Sequence, residues 1–177
     1  MKLYVVRHGE TTQNQLGLVQ GDTESDLSER GIEDAKALQE LVNGLNIDVV
    51  ISSPLRRAKD TANLMTGNKY ELIIDDRLIE RDYGLSEGKP VDPDLTIKYW
   101  DFNLNTDINE VEKVRDLLSR VSDLIEDLRV KYPDKNILLV SHSGVVRAIH
   151  YAINGIPEDG DLLKIEIPNL RIIEYDI

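Results

Sequence analysis

Three short apolar runs decide most of what this chain can fold into. Leu3–Val6, Val49–Ile51 and Ile137–Val140 are apolar at every position, show no inside–outside alternation, and each stops at a polar loop. Such a run reads as a strand buried on both faces, the pattern of a parallel sheet with helices packed on either side. The segments between them carry helical spacing. Ile32, Ala35, Leu38, Leu41 and Val42 fall on one helical face, with Ser28 as the expected N-cap and Asn43-Gly44 as the stop. Ala58 to Met65 is expected to be helical and to end at Gly67-Asn68, and Glu71–Ile74 to form a further short strand. From Ile108 to Val130 apolar residues recur every three or four positions, which predicts one long amphipathic helix ended by Pro133. Gly144 to Ile153 should be the last helix, and Leu163–Ile167 with Leu170–Tyr175 a closing hairpin around Pro168-Asn169. Strands alternating with helices predict an α/β protein, a three-layer α/β/α sandwich around a mostly parallel sheet. Residues 89–106 hold two prolines and little periodicity and are expected to form a short irregular lid. A chain of 177 residues is then one domain, spanning 1–177.

Composition narrows the function classes. The net charge of −12 argues against a nucleic-acid or anionic-membrane partner, so any anion site must be a local basic pocket in an acidic field. There is no cysteine, which excludes thiolate catalysis, thiolate metal sites and disulfides, and fits a reducing compartment. No apolar run approaches the roughly 18 residues of a membrane span, and the apolar stretch Leu3–Val6 is too short for a signal peptide. A cytoplasmic location is the expectation.

In open α/β sheets ligands bind beyond the carboxyl ends of the strands, so the loops after Val6, Ile51 and Val140 should share one crevice. They carry Arg7-His8-Gly9-Glu10-Thr11, Ser52-Ser53-Pro54-Leu55-Arg56-Arg57-Ala58 and Ser141-His142-Ser143-Gly144. Two of the three histidines and two or three arginines thus reach one sheet edge, with Glu80 as the best additional candidate. Guanidinium groups clamp phosphate oxygens without giving up their charge. A neutral imidazole nitrogen can attack phosphorus and form a covalent intermediate, and a carboxylic acid can protonate the departing oxygen. Helix N-termini after the second and last of these loops would add backbone donors. The alternative is that the two histidines bind a metal with Glu80 or aspartates, which the neighbouring arginines disfavour because cations repel cations. The residues by themselves reach an anion-handling site and no further.

Arg7-His8-Gly9-Glu10-Thr11 followed by Asn14 resembles the signature of the histidine phosphatase superfamily, also called the phosphoglycerate mutase-like family. Gly21 with Leu27-Ser28-Glu29-Arg30-Gly31, the Arg57-Ala58 motif with Thr61-Ala62, Leu78-Ile79-Glu80 with Gly84, and Val140-Ser141-His142 resemble four further motifs of that family, in order along most of the chain. The resemblance implies a phosphoglycerate mutase-like fold. It implies His8 as phosphate acceptor, Arg7, Arg57 and His142 as the rest of the phosphate pocket, and Glu80 as proton donor to the leaving group. Arg57 rather than Arg56 is implied because the family's pocket arginine directly precedes the alanine. Asn14 and Gly21 would line the substrate side, and neither a metal nor another cofactor is implied. Ser143 stands where many members have glycine, and Asp26 where proline is common before the leucine. His150 matches no motif and is expected to be structural or solvated.

The family includes phosphatases and cofactor-dependent sugar-phosphate mutases. Glu80-Arg81-Asp82-Tyr83-Gly84 leans toward the mutase form, whereas the lid offers only Lys89 and Lys98 against Asp92, Asp94 and Asp101. A short acidic lid should leave a phosphohistidine open to water, so a phosphomonoester hydrolase acting on a small phosphate ester is expected, with a phosphoglycerate mutase as the alternative. A catalytically silent phospho-ligand-binding module is the third reading; it is disfavoured because His8, Arg7, Arg57, His142 and Glu80 are all present. Tyr99, Trp100 and Phe102 in the lid either contact an apolar part of the substrate or pack the lid onto the domain.

Overall fold

The computed structural model describes residues 1–177. The chain runs β1 (Lys2–Arg7), α1 (Thr12–Gln15), α2 (Glu29–Ala37), α3 (Gln39–Asn43), β2 (Val49–Ser52), α4 (Arg56–Thr66), β3 (Ile73–Ile74), α5 (Pro93–Tyr99), α6 (Val114–Lys131), β4 (Asn136–Ser141), α7 (Ser143–Asn154) and β5 (Ile172–Asp176). The five strands form one sheet in the order β3-β2-β4-β1-β5. β4 pairs in parallel with both β1 and β2, β3 is parallel to β2, and only β5 is antiparallel. The register sets Arg7 opposite Ser141 and Ser52 opposite Val140, so the carboxyl ends of β1, β4 and β2 stand side by side.

Period-2 geometry splits the strand residues between two cores. Leu3, Val5, Ile51, Ile137 and Leu139 face one side, where α6 and α7 close over them through Leu117, Leu124, Val145 and Ile149. Tyr4, Val6, Val50, Leu138 and Val140 face the other, covered by Val42, Ala58, Ala62 and Met65. Residues 137–140 of β4 are wholly buried, which is why that run is apolar throughout. The result is an α/β fold of helices on both faces of a mostly parallel sheet. No helix is long and apolar enough to cross a membrane.

Five expectations need correction. The closing hairpin is absent: only its second half is a strand, β5. The first half is a 3-10 turn, Leu162–Lys164, followed by irregular chain, because its carbonyls are taken by side chains. Leu162 and Ile165 accept from Arg147 Nη1, and Ile167 accepts from Arg7 Nη1, which leaves no ladder for a neighbouring strand. The long helix begins at Val114 rather than Ile108, since Asn109 and Glu110 adopt left-handed backbone (φ 58° and 62°) that no helix accommodates. The helix over 28–43 is two, α2 and α3, divided at Leu38, although Ser28 does cap its start by accepting from Gly31 N–H. The lid is not wholly irregular. It contains α5, with Pro93 at the first helical position and Asp92 accepting from the Asp94 and Leu95 amides, a start signal that weak periodicity obscured. The strand expected at 71–74 shrinks to Ile73–Ile74.

Candidate active site

The ends of β1, β2 and β4 open onto a cavity of about 420 Å³ whose wall includes Arg7, His8, Asn14, Arg57, Glu80 and Arg147. Arg7 closes β1, and its Nη1 is anchored on the Ile167 carbonyl at 2.8 Å. His8 continues the strand ladder by donating its backbone N–H to the Ser141 carbonyl, and its ring is 3% exposed. Its Nδ1 lies 2.7 Å from the Gly9 carbonyl, a contact that is a hydrogen bond only with the proton on Nδ1. Nε2 therefore keeps its lone pair, a tautomer assigned from the hydrogen-bond network. Burial first, then the positive charges of Arg7 and Arg57, hold the imidazole well below the ordinary histidine range, so His8 is neutral near neutral pH.

Arg57 sits in the first turn of α4 and is fully buried. Its Nη2 donates to the Gly21 carbonyl and its Nη1 to the Thr23 carbonyl, both at 2.7 Å, while its Nε has no protein partner. Gly21 thus orients Arg57 through its carbonyl and is not on the cavity wall, where the resemblance put it. A Cβ there would lie 1.6 Å from Glu87 Oε1, so a larger residue would displace the Glu87 carboxylate. Asn14 does reach the wall: its Oδ1 accepts from Thr11 N–H in a capping box, which leaves the amide Nδ2 without a protein partner. Arg56 points away and pairs with Asp26, so the aspartate in place of a proline meets an exposed arginine rather than the pocket.

His142 lies behind His8 rather than on the wall, with the two ring centroids 5.2 Å apart at 62°. Ser53 Oγ accepts from Leu55 N–H and sits 2.7 Å from His142 Nε2, so the hydroxyl proton is free to point at that nitrogen. The imidazole proton is then on Nδ1, which is buried and has no protein partner. Burial is again the main reason His142 stays below the ordinary range, with His8, Arg57 and Arg7 adding to it. Ser53 was missed by the sequence reading, as was Thr61, whose Oγ1 accepts from Gly9 N–H and fixes the loop carrying His8.

Glu80 reaches the cavity from the irregular segment after β3 and is 5% exposed. Its Oε1 accepts from the backbone N–H of Arg81 at 2.8 Å and of Gly144 at 3.1 Å, the latter in the first turn of α7. A Cβ at residue 144 would lie 2.5 Å from Oε1, so glycine there makes room for the carboxyl. Burial pushes the Glu80 carboxyl up, and the two amide bonds with Arg57 and Arg7 pull it partly back. Two of the backbone donors at the helix starts are already engaged: Gly144 N–H serves Glu80, and Arg56 N–H serves the Glu24 carboxylate.

The histidines do not form a metal-ligand cluster with Glu80. The one triad of ligand-type side chains with donor atoms within 4.8 Å of one another is Asp22, Asp82 and Glu87, with no histidine. His150, on α7, faces the Tyr175 hydroxyl at 3.1 Å, away from the cavity. Tyr99 and Trp100 pack into the core and also line the cavity, whereas Phe102 packs against the core without reaching the wall. Arg81 lies behind them, with its guanidinium 4.8 Å from the Trp100 ring and bonded to the Tyr99 and Glu112 carbonyls.

Several known proteins are similar to this chain. Phosphoserine phosphatase 1 of Hydrogenobacter thermophilus is 32% identical over 163 residues, covering 88% of this chain and 77% of that protein. The metal-independent phosphoserine phosphatase of Arabidopsis thaliana is 32% identical over 176 residues, covering 94% of this chain and 74% of that one. Among solved structures, a mutant phosphoserine phosphatase from Entamoeba histolytica in complex with phosphoserine superposes with a TM-score of 0.86 at 26% identity, covering 98% of this chain and 89% of that one. Residues 3–177 match the family described as histidine phosphatase superfamily (branch 1). A neutral, buried histidine at a strand end, two arginines held by carbonyls and a match over nearly the whole length lead to one assignment: the chain belongs to the histidine phosphatase superfamily.

Proposed function

We propose that the protein is a phosphatase that hydrolyses a small phosphate monoester through a phosphohistidine on His8. The observation that carries this reading is the His8 ring itself. Its Nδ1 is committed to the Gly9 carbonyl, and its Nε2 is left as a nucleophile in a cavity shared with two arginines that pair with no carboxylate. Nε2 attacks phosphorus, the P–O ester bond breaks, and the departing alkoxide takes the Glu80 proton. Water then attacks the phosphohistidine, Glu80 takes back a proton, and the N–P bond breaks to free phosphate and neutral imidazole. Arg7 Nη2 and Arg57 Nε, neither with a protein partner, supply donors for the non-bridging oxygens, with His142 packed behind His8. Donors fixed before the reaction stabilise the developing charge without reorganising, usually the largest catalytic contribution.

Of the motif that leans toward the mutase form, Arg81 is fully buried behind the lid aromatics and does not reach the cavity, whereas Glu80 and Tyr83 line it. From the lid only Lys89 brings positive charge to the wall, with Asp92 beside it. Relatives named as phosphoserine phosphatases support hydrolysis of a compact ester. The chain works as one domain, residues 1–177, and the lack of cysteine suits a cytoplasmic setting.

The test is hydrolysis of an aryl phosphate in the presence of a chelator, with alkaline quenching of the enzyme during turnover. Phosphate release should persist without metal, a base-stable and acid-labile phosphoryl group should be trapped, and His8→Ala should abolish both. Turnover that never labels the protein would overturn the mechanism.

A further inference from the structure

The turn at Pro168-Asn169, which closes no hairpin, grips the two residues that open the site. β5 pairs with β1 as far as Ile172 opposite Val6, so a regular antiparallel ladder would next set Arg171 against Arg7. The donor to the Arg7 carbonyl is instead the Leu170 N–H, at 2.9 Å, one residue out of register. Leu170 has a left-handed backbone (φ 61°), a conformation that a β-bulge ordinarily gives to glycine and that a branched side chain disfavours. Strain of this kind beside a site persists only where the surrounding contacts impose it.

The slip brings the Asn169 side chain onto the His8 carbonyl, to which its Nδ2 donates at 2.8 Å. No other protein group donates to that oxygen, and Pro168, next along, has no N–H to offer. At the other end of the same peptide unit the Gly9 N–H donates to Thr61 Oγ1 at 3.0 Å, and that hydroxyl donates to the Arg57 carbonyl at 2.6 Å. The His8–Gly9 peptide is therefore fastened at both ends, by Asn169 on one side and by α4 on the other.

Gly9 makes the fastening necessary. A Cβ there would lie 2.9 Å from the Gly31 carbonyl oxygen, so a side chain does not fit, and an unrestrained glycine samples a wide range of backbone angles. The Gly9 carbonyl is also the group that accepts the Nδ1 proton of His8. Were the peptide to rotate, that carbonyl would swing off the ring, and nothing would hold the proton away from Nε2, the nitrogen that attacks phosphorus.

We propose that Asn169 is a positioning residue: its amide locks the His8–Gly9 peptide, so that the Gly9 carbonyl keeps the imidazole proton on Nδ1 and leaves Nε2 bare. Asn169 does not line the cavity. It sits in a separate surface groove with Glu10 and Arg30, and so reaches the substrate only through His8. The part played by Nε2 rests on the phosphohistidine reading; where the ring proton sits does not.

The test is Asn169→Leu, which keeps the shape of the side chain and removes the donor, with Asn169→Ser, too short to reach the carbonyl, deciding if the leucine variant does not fold. Nitrogen NMR of the imidazole rings, with the His8 signals identified by their loss in His8→Ala, should show Nε2 unprotonated in the wild type and a protonated Nε2 form in the variant. The kcat for an aryl phosphate should fall about tenfold, the worth of one net hydrogen bond. Inorganic phosphate, held by Arg7 and Arg57, should bind within about threefold of wild type, which separates loss of the tautomer from loss of the pocket. A protonated Nε2 already in the wild type, a kcat that falls while the ring proton stays on Nδ1, or an unchanged kcat overturns the positioning role, as does phosphate affinity that collapses with kcat. If the variant shifts the ring proton while the wild-type protein never carries a phosphoryl group in turnover, the hydrolytic reading falls and the hold of Asn169 on the His8 tautomer stands.

Discussion

Replacing Glu80 by Gln removes a proton donor and little else. The carboxamide is isosteric, and its Oε1 can go on accepting from the Arg81 amide at 2.8 Å and the Gly144 amide at 3.1 Å. What disappears is the acidic proton, in a carboxyl that burial keeps protonated to higher pH than usual. General acid assistance contributes about 10²–10⁴-fold, or about 3–5 kcal/mol of barrier. An alkyl phosphate, whose alkoxide cannot leave unprotonated, should lose all of it. An aryl phosphate with an acidic phenol should lose less than about tenfold, because its leaving group needs no proton. The assay is kcat for the two esters across pH. Productive attack needs neutral His8, whose range burial lowers, and protonated Glu80, whose range burial raises. With the alkyl ester the wild-type rate should therefore fall as pH climbs through the Glu80 transition, and that limb should vanish in Glu80→Gln. A raised folded pKa means that ionised Glu80 weakens the native state above it, so the variant should melt no lower than wild type at pH 7. Equal losses on both esters, or an alkaline limb that survives the substitution, would remove Glu80 from the acid role.

Three further outcomes follow from the same geometry. Gly144→Ala places a Cβ 2.5 Å from Glu80 Oε1 and should reproduce part of the Glu80→Gln defect, slowing the alkyl ester and sparing the aryl one; alanine favours the helix by up to about 1 kcal/mol, so a melt at or above wild type would show that unfolding is not the cause. Arg57→Lys cannot span the Gly21 and Thr23 carbonyls while still offering a donor to phosphate, and kcat/KM should fall about 10²–10³-fold; a loss under about tenfold would mean Arg57 does not hold the phosphoryl group. His8 and His142 are buried neutral, so the unfolded chain takes up protons the native one refuses as pH falls below the ordinary histidine value of 6.5. Stability should drop from there downward by up to about 1.4 kcal/mol per pH unit per histidine until the folded groups titrate. Denaturant midpoints between pH 7 and 5.5 should show the slope, and His142→Asn should flatten it.

Much of this protein is written in local pattern. The runs at Leu3–Val6, Val49–Ile51 and Ile137–Val140 are apolar at every position because both sheet faces are covered, and that alone orders the strands, the helices between them and the edge where the loops meet. Arg7, His8, Arg57 and Glu80 share one cavity because strand ends in such a sheet must converge. What the tertiary structure decided is wherever a side chain reaches a backbone group far along the chain. The carbonyls of Leu162, Ile165 and Ile167 accept from Arg147 and Arg7, and this dissolves a hairpin that the strand propensity of 163–175 favours. Gly21 acts through a carbonyl on a residue 36 positions away, and His142 takes its tautomer from Ser53, 89 positions away. Periodicity reports which face of an element is buried. It carries no information about which distant carbonyl a guanidinium will find, and here those long-range bonds set the charge, the tautomers and the shape of the pocket.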